Sequence, residues 1–172
     1  MSMMNRPLLI SDLLEHGAAQ HAKTEVVSRE THGDLFRYTY ADAAPRARQL
    51  ARALLSQGLK AGDVVGSIAW NNHRHLESYF GVSGTGMVMH TCNPRLHPSQ
   101  LIYILNHAED KVVLFDATFA PLVKGIAAHC PHVQLWVCLA DAAHTPAIEG
   151  VSNVVAYEDS LRRSPATTHG PI

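Results

Sequence analysis

Residues 59–116 read LKAGDVVGSIAWNNHRHLESYFGVSGTGMVMHTCNPRLHPSQLIYILNHAEDKVVLFD, and this stretch decides the fold. Short apolar runs with β-branched residues, typical of buried strands, alternate in it with longer stretches that carry helix start signals. This alternation predicts right-handed βαβ units and a parallel sheet covered by helices on both faces. The predicted strands are 64–70, 87–90 and 112–115, and the predicted helices run from Asn71 or Asn72 to about Ser83 and from Pro98 to about His107.

Upstream of this stretch the sequence predicts a β-hairpin and a helix. Strands 24–29 and 35–40 are joined by a short polar connection, which favours a hairpin. A helix follows through Leu54, with Thr39 and Asp42 as a predicted capping pair. Pro45 removes a backbone donor in its second turn, so the helix either starts near Pro45 or is kinked.

Downstream, the sequence predicts a helix over 119–129, a strand over 133–138 and a last edge strand over 151–156. The fold class is therefore α/β: a mostly parallel sheet of about four strands, helices on both faces and an N-terminal hairpin. Residues 1–162 form one predicted subdomain, and the Pro- and Thr-containing segment 163–172 is interpreted as a linker.

Composition excludes several classes of function. The 172 residues are 47% hydrophobic and 17% charged, with a formal net charge of −1, so electrostatics gives no reason to expect nucleic acid or an anionic membrane as partner. No window approaches the roughly 20 apolar residues of a membrane span. We expect a cytoplasmic protein. Arg46, Arg48 and Arg52 have helical spacing and are interpreted as a solvent-facing helix surface.

The twelve histidines and three cysteines do not form a metal motif. His73 and His75 are two residues apart, whereas a chelating helical pair needs a spacing of four. His90, His97 and His107 lack a Cys or carboxylate partner at a recognisable spacing, and we expect structural or solvent-facing roles for all five. The cysteines, which are Cys92, Cys130 and Cys138, lack paired spacing and are expected to be reduced thiols.

The segment Ser83–Gly86 contains the residue types of a phosphate-binding loop, but in the wrong place. Such loops follow a strand, open a helix and have a lysine close behind. Here the glycines end a predicted helix and lead into a strand, and the nearest downstream lysine is Lys111. We therefore interpret Gly81, Gly84 and Gly86 as helix termination with close backbone packing.

Three carboxylates deserve comparison as candidate catalytic groups. Glu109 and Asp110 are adjacent in a turn, which does not provide the opposed environments of a catalytic pair. Asp116 ends a predicted parallel strand, where α/β sheets bind ligands, although capping the next helix is the simpler role. No Ser or Cys nucleophile has a visible base and orienting partner.

Several of these segments together carry a specific resemblance. The sequence resembles the N-terminal part of AMP-forming acyl-CoA synthetases, within them the medium- and long-chain fatty-acyl-CoA ligases, over roughly residues 5–160. The residues that carry it are 37–40 with Asp42, 59–65, 70–71 with 73–77, Tyr79 and Phe80, 90–91 with 93–96, and 106–110.

The resemblance implies an activity whose catalytic residues lie further along. Such ligases join a carboxylate to ATP as an acyl-adenylate, release pyrophosphate and pass the acyl group to coenzyme A, with Mg²⁺ as cofactor. Their ATP-, magnesium- and acyl-binding residues follow the matched region. We therefore assign no catalytic, cofactor-binding or metal residue here, and expect the N-terminal part of a ligase that does not turn over by itself. Its partner would be the remainder of the ligase chain.

Two other interpretations stay open, together with a consequence for association. The chain could be a freestanding non-catalytic α/β module that binds a small ligand or protein, or a small enzyme with an unrecognised site. A subdomain that packs against later ones leaves an apolar face uncovered, which predicts self-association. We expect the contact with the rest of a ligase around Asn93, Pro94 and Arg95.

Overall fold

A five-stranded parallel sheet forms the centre of the computed structural model, which describes residues 8–163. Short 3₁₀ turns occupy Ala117–Phe119, Ala127–His129 and Ala142–His144. The helices and strands follow one another as α1 (Ser11–Gln20), β1 (Glu25–Arg29), β2 (Leu35–Thr39), α2 (Tyr40–Ser56), β3 (Val64–Ile68), α3 (His73–Ser83), β4 (Val88–Thr91), α4 (Pro98–His107), β5 (Val112–Phe115), α5 (Ala120–Ile126), β6 (Leu135–Cys138), β7 (Val154–Ala156) and α6 (Tyr157–Arg162).

The topology confirms the predicted fold class. The strands lie in the order β4-β3-β5-β6-β7 and all pair in parallel, while β1 and β2 form a separate antiparallel hairpin. The fifth parallel strand is β7, in the predicted edge segment. Helices cover both faces: Leu54 of α2 and Leu161 of α6 pack in one core cluster, whereas Leu105 of α4 and Ile126 of α5 pack in the other.

Two helices, α1 and α6, have no counterpart among the predicted elements. The N-cap of α1 is Ile10, which offers no side-chain acceptor, so the usual start signal is missing from the sequence. Helix α6 has only six residues, too few for a periodic pattern. Both are held by tertiary packing, through the buried residues Leu14 of α1 and Leu161 of α6.

Helix α2 starts at Tyr40, so the first of the two alternatives, a start near Pro45, is wrong. The predicted capping pair is present: Asp42 Oδ2 accepts hydrogen bonds from Thr39 N at 2.9 Å and from Thr39 Oγ1 at 2.6 Å. This pair satisfies helix-terminal donors one and a half turns before the proline. The helix then packs tightly on α3, since a Cβ atom on Gly81 would lie 2.7 Å from the Ala47 carbonyl oxygen.

The interpretation of Arg46 and Arg48 as a solvent-facing surface is wrong. Arg48 forms an ion pair with Glu15 of α1 at 2.7 Å, and Arg46 is enclosed by α3 and α6. Glu77 of α3, which is fully buried, accepts hydrogen bonds from Arg46 Nε at 2.7 Å and from Tyr157 Oη at 2.8 Å. The helical spacing was correct, but it could not reveal that other helices cover this face.

A second arginine extends these contacts into one network. Arg46 and Arg74 both donate to Glu158, with N–O distances of 2.9 Å and 2.8 Å. Arg74 also pairs with Glu30, which follows β1. We call these six residues the ionic network: Glu30, Arg46, Arg74, Glu77, Tyr157 and Glu158. It joins the hairpin, α2, α3 and α6, none of which is joined to the others by strand pairing.

The network changes the acidity of its carboxylates. Burial of Glu30 alone would raise its pKa, but the hydrogen bond from His73 and the charge of Arg74 outweigh burial and lower it to about 2. The pKa of Glu158 is lowered as well, because its two arginine partners outweigh its burial. A carboxylate whose pKa is lowered in the folded state stabilises the fold at any pH above its unfolded pKa, which is near 4.5 for Glu30. This contribution is lost as the pH falls towards 2.

Glu77 provides a direct test of the network. We expect Glu77→Ala to lower the free energy of unfolding by about 3–5 kcal/mol at pH 7, because Arg46 and Tyr157 would stay buried without their acceptor. The matched control is Glu149→Ala, which removes an exposed pair with Lys124 and should cost less than about 1 kcal/mol. Urea unfolding measures both values. Equal losses in the two variants would contradict the structural role of Glu77.

Candidate functional site

The strand order creates a switch point at the carboxyl ends of β3 and β5. The connection from β3 leads to β4, which lies on one side of β3 in the sheet. The next connection leads from β4 to β5, which lies on the opposite side of β3. In open α/β sheets, ligands bind in the crevice where successive connections diverge in this way. Residues 69–72 follow β3 at this point and Asp116 follows β5, so the structure brings Asp116 to the position that the sequence analysis considered for ligand binding.

Asp116 closes this crevice with hydrogen bonds instead of lining an open pocket. Its carboxylate is fully buried; Oδ2 accepts from Trp70 N at 2.6 Å and Oδ1 from Asn72 Nδ2 at 2.9 Å. Asn72 in turn caps α3 by accepting from His75 N at 3.0 Å, as predicted. The simpler role suggested for Asp116 is wrong, because its side chain makes no capping hydrogen bond to the turn that follows it.

The buried position of Asp116 disfavours the ionised form of its carboxyl group. Burial raises its pKa to about 6, although the hydrogen bonds from Trp70 and Asn72 favour the charged form. A carboxylate in this state can act as an acid or base near neutral pH. Here both of its oxygens already hold the β3–α3 loop, so the geometry supports a positioning role.

The rim of the switch point is exposed and partly aromatic. Trp70 is 43% exposed, donates from Nε1 to Thr118 Oγ1 at 3.0 Å, and lies with its ring centre 5.0 Å from that of Phe119. Asn93 and Arg95 are exposed just after β4, at the same edge of the sheet, and Asn93 Oδ1 accepts from Arg95 N at 3.0 Å. We call Trp70, Thr118, Phe119 and residues 93–95 the carboxyl-edge surface.

A Cys–His–Asp cluster lies next to β4 and was missed by the sequence analysis. His90 Nδ1 is 2.8 Å from Asp110 Oδ2, and His90 Nε2 is 3.8 Å from Cys92 Sγ. The available signal was the spacing of two, which puts His90 and Cys92 on one face of a strand. Asp110 is fully buried and follows α4, so it reaches this face from another element.

The chemistry of this cluster does not support a nucleophile. Burial, together with the charge of Asp110, raises the pKa of the Cys92 thiol to about 12, and burial raises the pKa of Asp110 to about 6. A reactive thiol needs the opposite shift, towards the thiolate. Cys130 and Cys138 are also free and buried, with pKa values raised to about 11 by burial.

The remaining candidates have structural roles. Ser83 ends α3, Gly86 turns the chain into β4 with φ of +75°, and Lys111 Nζ binds Asp63 at 2.7 Å. A strand-to-helix phosphate cradle with a lysine behind it is therefore not formed by this segment. Within residues 8–163, no group of three or more His, Cys, Asp or Glu side chains is arranged to hold a metal ion.

The histidines considered as metal ligands are occupied elsewhere. His73 is buried against Phe36, with ring centres 3.9 Å apart, and His75 Nε2 lies 3.1 Å from Ser67 Oγ. His97 begins α4 by accepting from Ser99 N. His107 stacks on Tyr103. Separately, none of the helices described for this chain has the length and apolar character needed to span a bilayer.

A known protein family matches this chain over most of its length. The model of the AMP-binding enzyme family matches residues 14–168, which is most of the chain. The chain belongs to the AMP-binding enzyme family. The predicted resemblance is thereby confirmed at the level of the family.

Several curated relatives of this family member are acyl-CoA ligases. It is 48% identical over 151 residues to the 3-methylmercaptopropionyl-CoA ligase of Ruegeria pomeroyi, covering 87% of this chain and 28% of that protein. It is 47% identical over 159 residues to the medium-chain-fatty-acid–CoA ligase of Ectopseudomonas oleovorans, covering 92% of this chain and 29% of that one. The long-chain-fatty-acid–CoA ligase of Thermus thermophilus is 45% identical over 160 residues, covering 93% and 28%.

Solved structures agree on the fold. Coronafacic acid ligase from Pectobacterium brasiliense superposes with a TM-score of 0.80 at 13% identity, covering 96% of this chain and 31% of that one. The anthranilate CoA ligase AuaEII gives a TM-score of 0.76 at 22% identity, covering 97% and 30%. The chain thus spans less than a third of the length of these relatives.

The raised pKa of Asp116 predicts a pH dependence of stability. A raised native pKa contributes stability that is fully present below the unfolded value of 3.8 and lost as the pH rises through about 6, a loss on the order of 3 kcal/mol. We expect Asp116→Asn, which cannot ionise, to lack this loss. Urea unfolding between pH 4 and 7 measures the difference in slope from the unsubstituted chain.

The control for this measurement is Asp34→Asn, which makes the same chemical change on an exposed side chain. We expect this variant to keep the slope of the unsubstituted chain. If Asp34→Asn and Asp116→Asn give the same pH profile, the buried carboxylate is not the source of the dependence.

Proposed function

We propose that this chain forms the N-terminal part of an ATP-dependent, AMP-forming fatty-acyl-CoA ligase. The complete reaction joins a fatty acid to ATP as an acyl-adenylate with release of pyrophosphate, and then transfers the acyl group to coenzyme A with release of AMP. The observation that carries the proposal is the 45–47% identity to two fatty-acid–CoA ligases over more than nine tenths of this chain. ATP, Mg²⁺ and coenzyme A are the proposed cofactors and substrates of the whole ligase.

In this proposal the chain supplies structure and the remainder of the ligase supplies the reactive groups. The Ser83–Gly86 segment does not form a strand-to-helix phosphate cradle, and residues 8–163 contain no cluster of three or more metal-ligating side chains, which supports this division. We further propose that the remainder packs on the carboxyl-edge surface, with Asn93, Pro94 and Arg95 in the contact. Exposed aromatic and arginine side chains of this kind are enriched where proteins pack against each other. We propose the cytoplasm as the compartment.

A chimera tests the function. We would join residues 1–172 to the remainder of the Ectopseudomonas oleovorans ligase, in place of its matching segment. We expect the chimera to release pyrophosphate from ATP in the presence of octanoate and to form octanoyl-CoA, whereas the 172-residue chain alone does neither. Adenylate or thioester formation by the chain alone would overturn the proposal. A well-folded chimera without activity would favour a freestanding binding module.

Within the chimera, Trp70 tests the carboxyl-edge surface. We expect Trp70→Ala to lower kcat/KM by about tenfold or more, because truncating an aromatic anchor in a packed interface costs about 2 kcal/mol or more. Tyr103→Ala is the matched control, since Tyr103 is a 66% exposed aromatic on α4 that stacks only on the neighbouring His107 among the ring contacts described. Equal effects of the two changes would contradict the proposed contact.

We also propose that the isolated chain self-associates through β4. Among the described strands, β4 is an edge strand whose outer side has no pairing partner, and Val88 on it is 49% exposed. Unpaired, partly apolar edges favour pairing between chains. We expect light scattering to report concentration-dependent dimers, and Val88→Lys to shift the chain to monomers. A monomer at all concentrations, or an unchanged dimer in Val88→Lys, would contradict this.

A further inference from the structure

A small cavity opens at the amino edge of the sheet, opposite the edge that carries Asp116. Its volume is about 120 Å³, and it lies where the end of α2 and the last turn of α6 meet the strands β6 and β7. Carbon atoms make up most of its wall. The apolar lining residues are Leu50, Ala53, Leu54, Leu135, Val137 and Val155.

The polar residues that line the cavity are Ser56, Gln57, Ser160 and Arg163. Ser56 Oγ donates to the Ala53 carbonyl at 2.7 Å and Ser160 Oγ to the Ala156 carbonyl at 3.1 Å, so both hydroxyl protons are used within their helices. Among the described lining residues, Arg163 carries the one formal charge, and no acidic side chain opposes it. The cavity therefore combines an apolar body with one cationic end.

We propose that this cavity binds a small monocarboxylate. An apolar cavity of about 150 Å³ is known to hold benzene, so about 120 Å³ suits an apolar tail of roughly four to six carbons. Burial of that tail supplies the driving force, and a charge-assisted hydrogen bond from Arg163 to the carboxylate fixes its orientation.

The proposal goes beyond the ligase function and does not rest on it. The cavity and the carboxyl-edge surface lie at opposite edges of the same sheet, and no residue belongs to both. Failure of the chimera would leave the cavity test unaffected, and failure of the cavity test would leave the chimera result unaffected.

Titration of the 172-residue chain with pentanoate tests the site, with methyl chemical shifts as the readout. We expect a dissociation constant on the order of 1–10 mM, with the largest shifts at Leu54, Val137 and Val155. Pentylammonium, which has the same tail and the opposite charge, should bind more weakly, and acetate should not shift these methyl groups. Equal binding of both pentyl compounds, shifts confined to other regions, or no binding would overturn the proposal.

Two adjacent arginines provide a matched pair of variants. We expect Arg163→Gln to weaken pentanoate binding by about fivefold, whereas Arg162→Gln, which removes an exposed pair with Asp159 outside the cavity, leaves it unchanged. Ala53→Leu should fill the cavity and abolish the shifts, with circular dichroism to check folding. If Ala53→Leu does not fold, the arginine pair decides, and equal affinities of those two variants would contradict the assignment.

Discussion

Glu77 is the side chain on which the attachment of α2 and α6 to α3 depends. Its fully buried carboxylate holds Arg46 and Tyr157, so that α2, α3 and α6 meet at one point. The parallel strands are joined by their own hydrogen-bond ladder, but the hairpin and α6 are not part of that ladder. Because a buried charge needs partners in fixed positions, the same contacts that hold these elements also specify where they lie.

The sheet was predictable from sequence because each strand is a local signal. Residues 112–115 are all fully buried, and a short apolar run with β-branched residues identifies such a strand without knowledge of its neighbours. Helix α1 was not predictable, since it begins at Ile10 without a capping side chain. The roles of the arginines were hidden for another reason: Arg46 finds Glu77 and Glu158 at separations of 31 and 112 residues.

The candidate site, too, was predictable from the sequence only where its features are local. The position of Asp116 at a strand end follows from local sequence, whereas its partners Trp70 and Asn72 lie 46 and 44 residues away and depend on the strand order. The grouping of His90 with Asp110 likewise requires β4 and β5 to flank β3. What the sequence alone identified correctly was the family, because several short segments matched in the right order.

The three buried thiols can report local opening of the structure. Cys92, Cys130 and Cys138 are all protonated at neutral pH, since burial raises their pKa values to about 11–12. Because all three are also buried, an alkylating reagent such as iodoacetamide can modify them only when the surrounding structure opens. The alkylation rate of each thiol then measures how often the structure opens next to β4, after the end of α5 and at β6, without any engineered label.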